Sequence, residues 1–247
     1  MIDAEQSAAL GLIRKLERLA PLDAADHAAI GSLPFAIRTV APGQFLVREG
    51  SRSSDCCLLV AGHACRHKVT HDGDRQIVSF HMRGDIVDLC HLQLPTADHN
   101  VQAVTKATVA CIPAARLREV ARARPSIADA LWRDALIDAS RVREWMLNVG
   151  RRDARSRVAH LICEFGLRSE AAGLGTADRF DMPLTQEQIG DATGLTPVHV
   201  NRMLRRLGLD GLIGRERQKM RILDWNRLRL IAGFDDSYLH GSAPAAA

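Results

Sequence analysis

LTQEQIGDATGLTPVHVNRMLRRLGLDGLI, Leu184 to Ile213, carries its own punctuation. Thr185 followed three residues later by Gln188 is a capping box, so a helix begins at about Gln186. That helix is short: Ile189 points inward, small Gly190 permits a close helix crossing, Gly194 supplies the turn and Leu195 packs beneath it. Thr196-Pro197 then caps and opens a second helix, with the proline in the first turn, where no amide partner is needed. On this second helix Val200, Met203 and Leu204 form an inner face, leaving His199, Asn201, Arg202, Arg205 and Arg206 to point outward. Small residue, turn glycine and inner positions all agree with a helix-turn-helix.

Downstream, Leu212-Ile213, the basic tip Gly214 to Lys219 and then Met220 to Leu223 read as two strands of a wing. From Thr196 to Arg229 nine Lys or Arg face three acidic residues, a local excess that suits phosphate contact. Upstream, Ser126, preceded by Pro125, reads as the N-cap of a helix running to about Val149. Leu131, Ala135, Asp138, Val142, Trp145 and Val149 fall along it at steps of four and three, the spacing of a two-helix seam. Asp138 would place a charge in that seam, which costs stability and makes association conditional.

From about Phe35 to Ala114 the pattern changes to short apolar runs broken by turn signals, which predicts a β-roll or small barrel. Asp72-Gly73 marks its clearest hairpin turn. Ala8 to Leu19 and Ala24 to Ile30 read as short helices leading into it. The fold class expected is α+β, with a sensor-like roll over 1–125, a dimerisation helix over 126–149 and a winged helix-turn-helix over 150–247.

Composition bounds what such a chain does. Its 247 residues are 47% hydrophobic but only 4% aromatic, so any nucleic-acid surface relies on Arg and Lys rather than on stacking rings. The formal net charge of +4 is compatible with DNA without requiring it. With no signal-peptide pattern and no run of about 18 apolar residues, the expected location is the cytoplasm. The six cysteines, Cys56, Cys57, Cys65, Cys90, Cys111 and Cys163, show no CxxC pair and read as reduced thiols, with a redox switch at Cys90 or Cys163 as the alternative to inert burial.

The chain resembles the Crp/Fnr family of bacterial transcription regulators over nearly all its length. The likeness rests on Gly43-x-x-Leu46-x-x-x-Gly50, Gly62, Asp72-Gly73, Gly84-Asp85, the long helix and the winged helix-turn-helix, and it points to an Fnr/FixK-like branch lacking the N-terminal iron-sulfur cysteines. It implies a cyclic-nucleotide-binding-like roll, a homodimer through the long helix, RNA polymerase as a partner, and recognition helices that each read half of a palindromic duplex. Carried over singly, Arg202 matches the arginine suited to a bidentate contact with guanine. Val198 stands where a glutamate often reads cytosine, so the half-site should differ and Val198 could touch a thymine methyl. Asn201 could read adenine, and His199 sits at a position that commonly touches phosphate. Thr196, Arg205, Arg206, Arg217 and Lys219 complete the expected DNA-binding set, chiefly as phosphate contacts.

The same resemblance bears on GDIVDLCHLQLPTADHN, Gly84 to Asn100. Cyclic-AMP-binding relatives carry Gly-Glu for the ribose and Arg-Ser for the phosphate where this chain has Asp88-Leu89 and His99-Asn100. Lacking that carboxylate and that permanent positive charge, the chain is not expected to bind cyclic AMP. Alignment with the family puts Val47, Arg66, Ser79 and His81 inside the roll, so a candidate effector pocket comprises these four with Asp88, Leu89, His99 and Asn100, its contents unidentified. No cysteine precedes Cys56, which argues against an iron-sulfur cluster.

His63, Cys65 and His67, with His71 continuing the spacing, are expected on a solvated strand face. A metal-responsive or haem-responsive regulator, the latter through His91 or His99, stays open as an alternative, as does a ligand-independent regulator controlled by its expression level. Asp85, Asp88, His91, Asp98 and His99 invite an enzyme reading, but no nucleophile, oriented base or substrate cradle can be named, so the chain is read as a non-enzyme. A DNA-packaging protein would need broader basicity.

Overall fold

The computed structural model describes residues 4–52 and 54–241. The chain resolves into two compact units, one of residues up to His67 together with Phe80–Ala139, the other of Lys68–Ser79 together with Ser140–Leu239.

Along the chain, α1 (Ala4–Glu17) and α2 (Ala24–Gly31) precede strands β1 (Ala36–Val40), β2 (Phe45–Val47), β3 (Asp55–Ala61), β4 (Ala64–Val69), β5 (Arg75–His81), β6 (Asn100–Ala103) and β7 (Ala107–Pro113). The strands form two sheets, in the orders β1-β7-β3 and β2-β6-β4-β5. Side chains alternate across a strand, and β3 and β7 use both faces. Cys56, Leu58, Ala110 and Ile112 join a core with Leu12, Leu16, Ile30, Leu117 and Ile127 of the flanking helices. Cys57, Leu59, Val109 and Cys111 instead join Val47, Val101 and Ala103 in the interior of the roll. A sheet buried on both faces reads as a continuous apolar run, which is why Cys56 to Val60 and Val109 to Ile112 show no alternation in sequence.

Chain after the roll turns helical as α3 (Ala114–Ala123) and α4 (Pro125–Arg151). The expected Ser126 cap is corrected. Helix α4 starts at Pro125, and the Ser126 hydroxyl donates instead to Asp26 Oδ2 at 2.7 Å, while Arg124 Nε donates to Asp26 Oδ1 at 2.6 Å. Asp26, 1% exposed, thereby ties α2 to the start of α4, and the bond from Arg124 holds its carboxyl far below the usual range. Lys15 Nζ, 2.9 Å from Asp134 and 3.4 Å from Asp85, fastens α1 in the same way.

The second unit follows as α5 (Ala154–Ala171), β8 (Gly175–Thr176), β9 (Arg179–Asp181), α6 (Gln186–Thr193), α7 (Pro197–Leu209), β10 (Ile213–Glu216), β11 (Lys219–Ile222) and α8 (Trp225–Ala232). Helix α5 is its centre: Val158, Ile162, Cys163 and Phe165 are buried along it. Glu164 is buried too, and it accepts from Trp145 Nε1 at 2.7 Å, Tyr238 Oη at 2.8 Å and Arg168 at 3.2 Å. Three donors compensate the desolvation that a lone carboxylate would suffer. The wing is broader than its sequence suggests, because β9 and β8 extend the hairpin into the order β10-β11-β9-β8.

Candidate nucleic-acid interface

Local chemistry builds the two-helix unit as its spacing predicts. Thr185 Oγ1 accepts from Gln188 N at 3.1 Å, and Gln188 Oε1 accepts from Thr185 N at 3.0 Å. Helix α6 ends at Gly194, whose φ of +65° is left-handed and suits a residue without Cβ. A Cβ on Gly190 would lie 2.4 Å from the Leu195 carbonyl oxygen, so only glycine lets the turn fold back this closely. Thr196 Oγ1 accepts from His199 N at 3.3 Å to open α7. Val200, Met203 and Leu207 are buried beneath α7; Leu204, expected with them, is half-buried, and Leu207 takes the third inner place.

The opposite face of α7 is open. Val198 is 81% exposed, Thr196, Asn201, Arg202, Arg205 and Arg206 are exposed, and His199 is half-buried. His199 Nε2 and the Arg202 guanidinium are hydrogen-bonded across one turn, which aligns the arginine along the helix surface. At the wing, the register Glu216↔Lys219 leaves Arg217 and Gln218 as the turn. Arg217 has φ +55°, and both Arg217 and Lys219 are exposed. Arg215, also exposed, donates to the Leu184 carbonyl at 3.1 Å and to the Arg217 carbonyl at 3.2 Å. Sequence reading missed β9, and with it exposed Arg179, which stands directly across from exposed Arg221. Like charges facing each other on neighbouring strands repel, so the pair is costly unless an anion lies over it. The signal for β9 was weak because Arg179–Asp181 has a single buried residue, Phe180.

The fold places two groups of expected site residues in different surroundings. On α4, Leu131 and Trp145 are buried within the chain, Trp145 against Glu164, and Asp138 is ion-paired with Arg66. Trp132, Leu136 and Met146, each one residue on, are exposed at 68%, 52% and 72%, and Leu147 is exposed as well. The candidate effector residues also part company. Val47 lies in the roll interior, whereas Leu89 packs with the helical core on the other face. Arg66 is spent on Asp138 and on the Val87 carbonyl at 3.2 Å; Asp88 Oδ1 accepts from Cys57 N at 2.8 Å; Asn100 Oδ1 accepts from Glu49 N at 3.0 Å. Ser79 and His81 are buried on β5. Nor are Cys65 and His67 on a solvated face, since both are buried, while His71 is fully exposed. Among the described residues no cluster of three or more His, Cys, Asp or Glu is placed to hold a metal ion, and no helix is long and apolar enough to cross a membrane.

Similarity to known proteins follows the same division. The model of a Crp-like helix-turn-helix domain matches residues 156–231, and that of a cyclic nucleotide-binding domain matches residues 37–124. The transcriptional activator protein FnrL of Cereibacter sphaeroides is 31% identical over 204 residues, 81% of each chain. The chain belongs to the Crp/Fnr family of transcription regulators. The transcriptional activator protein anr of Pseudomonas aeruginosa is 28% identical over 79% of this chain and 80% of its own. The solved structure of FixK2 from Bradyrhizobium japonicum superposes with a TM-score of 0.74 at 25% identity, covering 87% of this chain and all of that one. This Crp/Fnr member is thus a transcription regulator with a helix-turn-helix DNA-binding domain.

A cyclic nucleotide held in the manner of the domain's namesake does not fit these side chains. Leu89 offers no carboxylate to a ribose and is packed against apolar residues. His99, 7% exposed, lies with Nδ1 2.7 Å from Asp98 Oδ1, and burial holds it below the ordinary histidine range. Burial thus works against the charged form, where a cyclic phosphate would need a fixed charge.

Proposed function

We propose that this regulator acts as a homodimer on a palindromic duplex, each α7 reading one half-site, and recruits RNA polymerase, with 1–125 as the sensor region, 126–149 as the dimerisation segment and 150–247 as the DNA-binding region. The single observation that carries the recognition half of this reading is the open outer face of α7, where Arg202, Asn201 and Val198 stand exposed above a buried Val200-Met203-Leu207 face. Arg202 donates to guanine in the major groove and Val198 meets a thymine methyl. Arg205, Arg206, Arg217, Lys219 and the Arg179–Arg221 pair contact phosphates, with His199 orienting Arg202. Support for dimerisation comes from the steps of four and three at 132, 136, 139, 143 and 146 on α4. Three of those positions are exposed large apolar side chains, which a lone helix has no reason to present to water. That relatives are named transcriptional activators supports activation and hence polymerase contact.

Arg202→Ala tests the recognition role. Affinity for the selected operator should fall by about 1–3 kcal/mol, or roughly 5- to 150-fold, with relaxed preference at one base pair per half-site. Fluorescence anisotropy on matched and mutated duplexes measures both, and unchanged affinity with unchanged preference contradicts the assignment.

A further inference from the structure

Inside the roll, Cys57 of β3 stands directly opposite Cys111 of β7, with their sulfurs 2.7 Å apart. A facing pair on antiparallel strands has Cα atoms about 4.5–5.5 Å apart, within the roughly 4.4–6.8 Å span of disulfides, so the two can be bridged without moving the strands. The guanidinium of Arg38 on β1 donates to Cys111 Sγ at 3.0 Å and lies 3.8 Å from Cys57 Sγ. Arg38 is exposed and, with Val40, Gly43, Phe45 and Arg48, lines a cavity of about 500 Å³. Neither cysteine lines that cavity, both being buried; Arg38 is the residue that joins it to the two sulfurs. We propose that Cys57 and Cys111 are a redox-active dithiol, oxidised by hydroperoxides, with Arg38 as the positioning residue for the attacking thiolate.

The two thiols are unequal. The bond from Cys57, and then the charge of Arg38, draw the Cys111 thiol below its ordinary value, whereas Cys57 is pushed upward by its bond with Cys111, by burial and by the Asp88 carboxylate. The charged groups bearing on the pair are Arg38 from β1, Asp55 from β3 and Asp88 from the segment after β5. Burial pushes the remaining candidates the other way: Cys56 and Cys90 upward, and Cys163 to about 12. Thiolate is the reactive form, so Cys111 attacks first.

The Cys111 sulfur takes the terminal oxygen of the hydroperoxide as the O–O bond breaks; the alkoxide leaves and is protonated by water, and Cys111 becomes a sulfenic acid. The Cys57 sulfur then attacks the Cys111 sulfur. An S–S bond forms, the S–O bond breaks, and hydroxide leaves with the Cys57 proton as water. Two thiols and one hydroperoxide give one disulfide, one alcohol and one water. The outcome is a covalent tie between β3 and β7, the strands shared by the roll interior and the helical core.

The test treats the reduced full-length chain with hydrogen peroxide, alkylates the remaining thiols after denaturation, and maps bridged peptides by mass spectrometry. A Cys57–Cys111 bridge that persists in C56S and disappears in C57S, with a dimedone-trapped sulfenic acid on Cys111 in C57S, is the expected result. R38Q should move the midpoint of native-state Cys111 alkylation to higher pH, while C90S leaves it unchanged. Oxidation that starts at Cys90, a bridge through Cys56, or both thiols remaining alkylatable overturns the proposal. An R38Q midpoint equal to the wild type's overturns the role of Arg38.

Discussion

Gly190 shows how much one missing methyl group decides. With the Leu195 carbonyl oxygen 2.4 Å from where a Cβ would stand, Gly190→Ala must push α6 from the turn that sets α7. Overpacking of this kind costs about 1–3 kcal/mol. Chemical denaturation should show that loss, and operator affinity should fall with it; an alanine variant as stable as wild type would falsify the close crossing. The glycine, the capping threonines and Pro197 were legible in the sequence because their partners lie three to five residues away. Ser126 was misread for the opposite reason. Its hydroxyl partner, Asp26, is 100 residues distant, and a local cap and a distant tether look the same along the chain.

On the scale of one element, α4 carries apolar residues on two adjoining stripes, 131-135-138-142-145 and 132-136-139-143-146. Spacing cannot choose between them, since both keep the same steps. Burial separates them: Trp145 bonds to Glu164 and Leu131 enters the helical core, whereas Trp132, Leu136 and Met146 of the second stripe are exposed. Asp138 loses its role as a charge in the seam, because Arg66 pairs with it inside the chain. If the proposed homodimer forms through this stripe, Leu136→Asp and Met146→Asp together should yield a monomer in sedimentation velocity, while leaving the helical signal of circular dichroism intact. A dimer that survives both charges refutes the seam. The roll strands were legible as a zone but not as faces, because β3 and β7 are buried on both sides and give no alternation to read. That hid Cys57 and Cys111 as an inward-facing pair.

Across the whole molecule, acid is the condition that loosens both units. Burial holds the His160 imidazole below the ordinary histidine value, packed between Phe234 and Tyr238 with Glu144 Oε1 3.1 Å from Nε2. His99 is shifted the same way. The unfolded chain therefore takes up these protons first, so the stability they contribute is complete above about pH 6.5 and is lost as pH falls below it. Asp26, held low by Arg124, adds a second loss below about pH 4, where the unfolded carboxylate protonates. Calorimetric melting between pH 7.5 and 5.5 should show a falling midpoint, and His160→Phe should flatten that fall; an equally steep fall in the variant removes His160 as its source.

The family architecture was legible because it rests on local turns and on two well-separated periodicities. The surroundings of the candidate effector residues were not, because Arg66, Asp88 and Asn100 are each occupied by partners that only the folded chain supplies. Symmetric reading of DNA by two copies of α7 is tested by selecting bound duplexes from a random pool. A twofold-symmetric motif with half-sites about one helical turn, or roughly 10 base pairs, apart is the predicted result. Salt-sensitive retention of duplexes with no shared motif would contradict it.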